Sequence, residues 1–172
     1  MSAGQTVKVR SATVNDLPAV QQLIRESFAA MAEHSCFGAD FWARGADELI
    51  SKELNATEFE NEYFRKGPGS HFWVADSGSG MVVGCVGLKH SSPESTEAEL
   101  VRMAVSANVR SCGVGSVLMS QLLTHARSTP VISKIHLTTG NPRSAIFYQK
   151  HGFVLYDRIL FKYMEKVINL VT

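Results

Sequence analysis

Apolar positions along the chain follow two periods, and the switches between them mark the elements. "TVKVR" alternates as a short strand does, and "ATVNDLPAVQQLIRESFAAMAEH" follows with Leu17, Val20, Leu23, Ile24, Phe28 and Met31 at helical spacing. Thr13 or Asn15 is placed to cap that helix, Asp16 suits its positive end, and Pro18 fits only within the first turn. From Cys36 to Lys66 the pattern weakens. "CFGADFWARG" reads as a loop and "ADELISKELNATEFENEYFRK" as an acid-rich helix, which Gly67, Pro68 and Gly69 end.

The period then changes to strands. "SHFWVAD" and "MVVGCVGLKH" flank "SGSG" as an antiparallel hairpin, and "EAELVRMAV" is a third strand. A helix follows with Val114, Val117, Leu118, Gln121, Leu122 and His125 on one side, stopping near Ser128 to Pro130. "VISKIHLTT" is a buried-type strand, and "NPRSAIFYQKHG" a short helix opening on Asn141 and Pro142 and closing at Gly152. "FVLYDRILFKYME" supplies one bent or two short final strands. The order β, α, α, β, β, β, α, β, α, β, β predicts a mixed, mostly antiparallel α/β sheet flanked by helices. The strands of its one β-α-β crossover, Glu97 to Thr139, must pair parallel if they share that sheet.

Composition narrows the classes. A chain of 172 residues suits one domain, 1–172, and a formal charge of +1 with 45% hydrophobic residues belongs to an ordinary globular protein. Lysines and arginines are scattered, without the basic stripe of a nucleic-acid binder. Cys36, Cys85 and Cys112 lie far apart with no CxxC, against both a disulfide framework and a metal site. The N-terminus has no apolar signal region and "MVVGCVGL" is too short to cross a bilayer. These features predict a protein of the reducing cytoplasm that binds no membrane, and the expectation for its assembly, which they do not fix, is a monomer or homodimer.

The stretch "NVRSCGVGSVLMSQLLTHAR" places nearly bare backbone, Ser111 to Ser116, ahead of a helix. Helix N-termini leave N–H groups unpaired and carry partial positive charge, so phosphate binds there. A Walker loop requires Lys then Ser or Thr after its last glycine, whereas Ser116 and Val117 follow Gly115. A dinucleotide fingerprint needs a glycine at Leu118, and the preceding sheet is antiparallel. What remains is R-x-x-G-x-G, on Arg110, Gly113 and Gly115.

That motif resembles the pyrophosphate loop of the GCN5-related N-acetyltransferases, the GNAT superfamily. "AELVRMAV" before it, "TTGNPRSAIFYQKHGF" after it and the opening "VRSATVNDLPAVQQLI" are similar to the family's segments, in the family's order. "YFRKGPGSHFWVADSGSGMVVGCVGL" is also similar to the N-acetyltransferase 8-like branch, although this chain lacks that branch's membrane-associated segment. The resemblance implies a GNAT fold with a β-α-β acyl-CoA-binding core. It also implies transfer of acetyl from acetyl-CoA, without a metal, to an amine of a small molecule or peptide in a ternary complex.

It implies roles as well. Met103, Ala104 and Val105 would pair with pantetheine and polarise the thioester, and Arg110, Ser111, Cys112, Gly113, Val114, Gly115 and Ser116 would hold the pyrophosphate. Tyr148 matches the family's general acid toward the CoA sulfur; otherwise it is a half-buried core tyrosine. Asn141 either bonds pantetheine or caps its helix. Glu99 matches the glutamate base of the histone-acetyltransferase branch. Glu97, two residues away, and His34, His90, His136 and His151 are alternatives, as is a water relay. Arg143 and Lys150 stand where they could approach CoA phosphates, and Phe37, Phe41 and Trp42 where they could form the acceptor pocket. A noncatalytic acetyl-CoA-binding module and an NAD-binding redox protein are the rival readings, and fold alone does not choose among acceptors.

Overall fold

The computed structural model describes residues 7–33, 35–90, 92–139, 141–157 and 162–167. Seven strands, β1 (Lys8–Ser11), β2 (His71–Asp76), β3 (Val82–His90), β4 (Glu97–Val105), β5 (Lys134–Thr139), β6 (Val154–Asp157) and β7 (Lys162–Val167), form one sheet in the order β1-β2-β3-β4-β5-β7-β6. Every pairing is antiparallel except β4 with β5, which are joined through helix α4 (Val114–Arg127). The final segment is therefore two strands, and β7 inserts between β5 and β6. Arg158 to Phe161 of that segment lie outside the described residues.

Helices cover both faces. On one side α4 and α5 (Pro142–Lys150) pack Leu118, Met119, Leu122, Ala145 and Tyr148 against Trp73, Val86, Leu88, Ala98 and Leu100 of the sheet. On the other, α1 (Leu17–Ala32), α2 (Ala39–Glu53) and α3 (Ala56–Glu60) pack Val20, Leu23, Ile24, Ile50 and Phe59 on Phe72, Val74, Cys85 and Val101. Alternation along the strands produces this split, because successive side chains leave a strand on opposite faces. Leu100 and Val101 enter different cores for that reason.

Three sequence expectations change. Residues from Ala39 onward are helical rather than loop, because Ala46, Ile50 and Glu53 recur at helical spacing as the buried face of α2. Trp42 meets Phe28 of α1 edge-on at 6.1 Å, so this one aromatic of the segment packs α2 against α1. In α4 the buried face is Val114, Leu118, Met119, Leu122, Leu123 and Ala126, while Val117 and Gln121 are exposed. Pro18 does sit in the first turn of its helix, and Asp16 accepts the Thr13 N–H at 2.8 Å just ahead of it.

Candidate active site

The parallel pairing of β4 and β5 is short. Glu97, Ala98 and Glu99 pair with Lys134, Ile135 and His136, and there the two strands part. β4 continues along β3 to Val105 and β5 along β7 to Thr139, so a V opens in the middle of the sheet. Glu99 and His136 are the last pair before it.

A bulge shapes the β4 arm. The register against β3 shifts between Gly87–Val101 and Cys85–Ala104, so that Arg102 and Met103 together oppose Val86, one residue more on β4 than on β3, with Arg102 at φ +57°. Beyond the bulge, Ala104 pairs with Cys85, and the Ser106 N–H donates to the Val83 carbonyl at 2.9 Å. Antiparallel geometry then turns the backbone N–H and C=O of Met103 and Val105 to the opposite edge, into the V. Val105 shows this directly, since its carbonyl accepts from Arg110 Nε at 3.3 Å.

The loop after β4 forms the mouth. Ser111 has φ +65° and Gly113 φ +82°, a left-handed turn that only glycine adopts without steric cost at Gly113. α4 starts at once, and the first bond of its ladder runs from the Val117 N–H to the Gly113 carbonyl. The N–H groups of Val114, Gly115 and Ser116 precede that bond and point out of the helix start. At Gly115 a Cβ would meet the Phe147 ring at 3.3 Å, so this glycine allows α5 to press against the start of α4.

Helix α5 supplies the second wall. Asn141 accepts the Arg143 N–H at 2.9 Å and so caps α5, and it also borders the cleft. Tyr148 is buried against Phe153 and Phe147, and burial raises its phenol well above the ordinary tyrosine range. The hydroxyl therefore stays protonated at any physiological pH.

Together these parts enclose a cleft of about 850 Å3. Met103, Ala104, Val105, Arg110, Ser111, Gly113, Val114, Gly115, Ser116, Asn141 and Tyr148 all border it, as do Arg143, Lys150 and His151. Cys112 is exposed but is not among the bordering residues. Glu99 does not line the cleft either; it lies at the vertex of the V, on the strand face shared with Val101. Glu97 holds Lys134 Nζ at 2.5 Å and lies 3.8 Å from His136 Nδ1. His90 is buried, with Nε2 2.6 Å from the Ser95 carbonyl, and His151 Nε2 is 3.3 Å from Ser116 Oγ. His34 lies outside the described residues. Phe37 and Phe41 stack at 4.4 Å on the surface and do not border the cleft, whose α1 side is Ser27, Ala30 and Glu33. Helical spacing marks those three only as the polar side of α1, which gave no functional signal.

The sequence also gave no notice of a charge cluster behind the bulge. Glu53, buried at the end of α2, accepts from Arg102 Nε at 2.9 Å and Nη2 at 3.0 Å, from Lys89 Nζ at 2.7 Å, and from the Tyr63 hydroxyl. Burial pushes the Glu53 carboxyl up, but Arg102 above all, with Lys89 and Tyr63, outweighs it and holds it at about 2. Burial and the Glu53 charge drive the Tyr63 phenol well above its usual range, so it remains a donor.

A profile of the acetyltransferase (GNAT) domain family matches residues 68–155, from ahead of β2 into β6, and the chain belongs to that family. Among curated protein sequences none matches significantly. In three dimensions the chain is similar to the PaiA N-acetyltransferase of Thermoplasma acidophilum in complex with coenzyme A, at TM-score 0.79 and 20% identity over 95% of this chain and 99% of that one. It is also similar to a GNAT-family acetyltransferase of Staphylococcus aureus (TM-score 0.72, 18% identity, 94% and 99% covered). Ard1 of Thermoplasma volcanium follows (TM-score 0.68, 21% identity, 94% and 97% covered). At these identities the similarity is one of fold. The family assignment rests on the profile match over residues 68–155, which does not extend to the N-acetyltransferase 8-like branch.

Proposed function

We propose that this protein is an acetyl-CoA-dependent N-acetyltransferase whose single domain, 1–172, carries acetyl directly to an amine in a ternary complex. The observation that carries the reading is the V between β4 and β5. It combines outward backbone groups at Met103 and Val105 with a helix start that presents N–H groups at its mouth. The residues present fit coenzyme A. Unpaired amides of the α4 start and Arg110 suit a pyrophosphate, with Arg143 and Lys150 beside them, and an open strand edge suits the amides of pantetheine. The coenzyme A bound to the structurally similar PaiA enzyme supports the same assignment.

Acetyl-CoA supplies the activated thioester. Met103 and Val105 N–H groups stand ready to stabilise negative charge on its carbonyl oxygen. As the acceptor nitrogen bonds the acyl carbon and the C–S bond breaks, the nitrogen loses a proton and the thiolate gains one. Glu99, at the vertex of the V and outside the cleft lining, takes the first through water, and Tyr148 gives the second. The exposed Cys112 takes no part in this scheme, since it lies in the loop that holds phosphate. Three unpaired cysteines support a reducing, cytoplasmic setting.

The test pairs ligand binding with turnover. Acetyl-CoA, and not NAD, should raise the unfolding temperature. A CoA-release screen over amino acids, polyamines, aminoglycosides, cysteine conjugates and peptides should find an acceptor, and Tyr148→Phe should lower kcat on it by about 100-fold. Binding without release on any amine would instead mark a noncatalytic acetyl-CoA module.

A further inference from the structure

The bulge that turns Met103 and Val105 into the cleft is not stable by local preference. Arg102 occupies the left-handed region at φ +57°, which non-glycine residues avoid, and its neighbours supply no glycine. Two distant contacts hold it. Glu53, 49 residues earlier and on α2, grips the guanidinium with both carboxylate oxygens. The Arg102 carbonyl accepts from the Cys85 thiol at 3.3 Å, and burial pushes that thiol up to about 12, so it remains a donor. The side chain and the backbone of one bulge residue are thus each fixed from outside β4.

Glu53 itself is fixed in turn. Lys89 reaches it from β3, the strand that pairs with β4, and is drawn at 3.4 Å toward Glu62 as well. Tyr63, fully buried, donates from below. The carboxylate has donors on both oxygens and a rigid seat, which suits a part that sets the position of another.

We infer that Glu53 is a positioning residue for acyl transfer: by chelating Arg102 from α2 it sets the β4 bulge, and through it the Met103 and Val105 backbone groups that face the thioester. This rests on the proposed acetyl transfer. The helix that Glu53 closes belongs to the layer on the other face of the sheet, so the contact ties that layer to the reacting edge of β4.

The test uses the full chain and separates positioning from mere support. Glu53→Gln leaves the partly buried Arg102 guanidinium without its two-oxygen partner, so its instability alone decides nothing. Glu53→Gln with Arg102→Gln removes both charges and should recover most of the lost unfolding temperature. If the inference is right, this double variant still shows amide hydrogen exchange at Ala104 and Ser106 at least about 10-fold faster, while Leu118 and Leu122 stay within about 2-fold. Its kcat falls at least about 10-fold with KM for acetyl-CoA within about 3-fold, and Glu53→Asp restores part of the loss. A double variant with both exchange and kcat within about 2-fold of the parent overturns the inference. Should the parent chain turn over no amine, the proposed reaction fails, and the exchange at Ala104 and Ser106 still decides whether Glu53 sets the bulge.

Discussion

Two segments put backbone amides on the cleft, and they are held in opposite ways. The Arg110–Gly113 turn is built locally: Gly113 takes φ +82° with nothing within 4 Å of where its Cβ would be, and the helix start exposes N–H groups wherever it is placed. The Arg102 bulge, at φ +57°, depends on side chains from α2 and β3. A phosphate cradle needs only a row of donors and tolerates small shifts. A carbonyl in reaction does not, since its stabilisation depends on donors held to within a fraction of an ångström. The difference teaches that binding groups can be set by local chain geometry, whereas reacting groups here are set by the packed core.

Mutations can break that comparison from either end. The largest effect should come from Glu53→Ala, which leaves the partly buried Arg102 guanidinium and the Tyr63 hydroxyl without their acceptor and should cost about 2–3 kcal/mol in denaturant unfolding. Gly115→Asp comes next. It sets a carboxylate at the anion-binding turn and a Cβ 3.3 Å from Phe147, and acetyl-CoA affinity by calorimetry should fall at least about 10-fold. Gly113→Ala forces a side chain into the left-handed region, for about 1–2 kcal/mol of stability. Equal losses of CoA affinity from Glu53→Ala and Gly115→Asp in folded protein would erase the distinction drawn between the two segments.

Acid sharpens the contrast most gently. The folded-state carboxyl of Glu53, near 2, lies below its unfolded value of about 4.5, so its contribution is fully present above pH 4.5 and is lost as pH falls through 2. His71 behaves differently: burial, then the neighbouring His125, hold it down at about 4. Its neutral form is the folded form, so stability should begin to decline as pH drops below 6.5 and keep declining toward 4. Melting temperature against pH should therefore fall in two stages, and Glu53→Gln should shrink only the lower one, to which Asp16 and Glu62, also held below their usual range, contribute the remainder. The Arg110–Gly113 turn carries no carboxylate or imidazole, so acetyl-CoA binding there should follow global unfolding in acid rather than precede it.

Much of this architecture is legible in the sequence. Strand and helix periods located nearly every element from β2 to α5, because one buried face per element leaves a clear 2 or 3.6 repeat. They failed at Ala39 to Gly45, where glycines and exposed aromatics mimic a loop although α2 buries Ala46, Ile50 and Glu53. Within α4 they group Val117 and Gln121 on the same side as Val114, Leu118 and Leu122, although both are exposed, since a helix pattern shifted by one residue still looks apolar. In the candidate site, Arg110 to Ser116, Asn141 and Tyr148 stand out as short motifs. Ser27, Ala30 and Glu33 do not, being ordinary helix surface until α1 is laid beside the cleft.

By itself, then, the sequence determined the strand order in time, the one parallel crossover and the glycine turn that opens α4, because each follows from neighbours within a few residues. Only the tertiary structure decided where β4 and β5 part and why Arg102 can hold a left-handed backbone. Glu53 and Arg102 lie 49 residues apart, and no local pattern encodes a pairing that exists only once α2 is packed on the sheet. A buried carboxylate with donors on both oxygens is a property of that packing, and the geometry of the reacting edge rests on it.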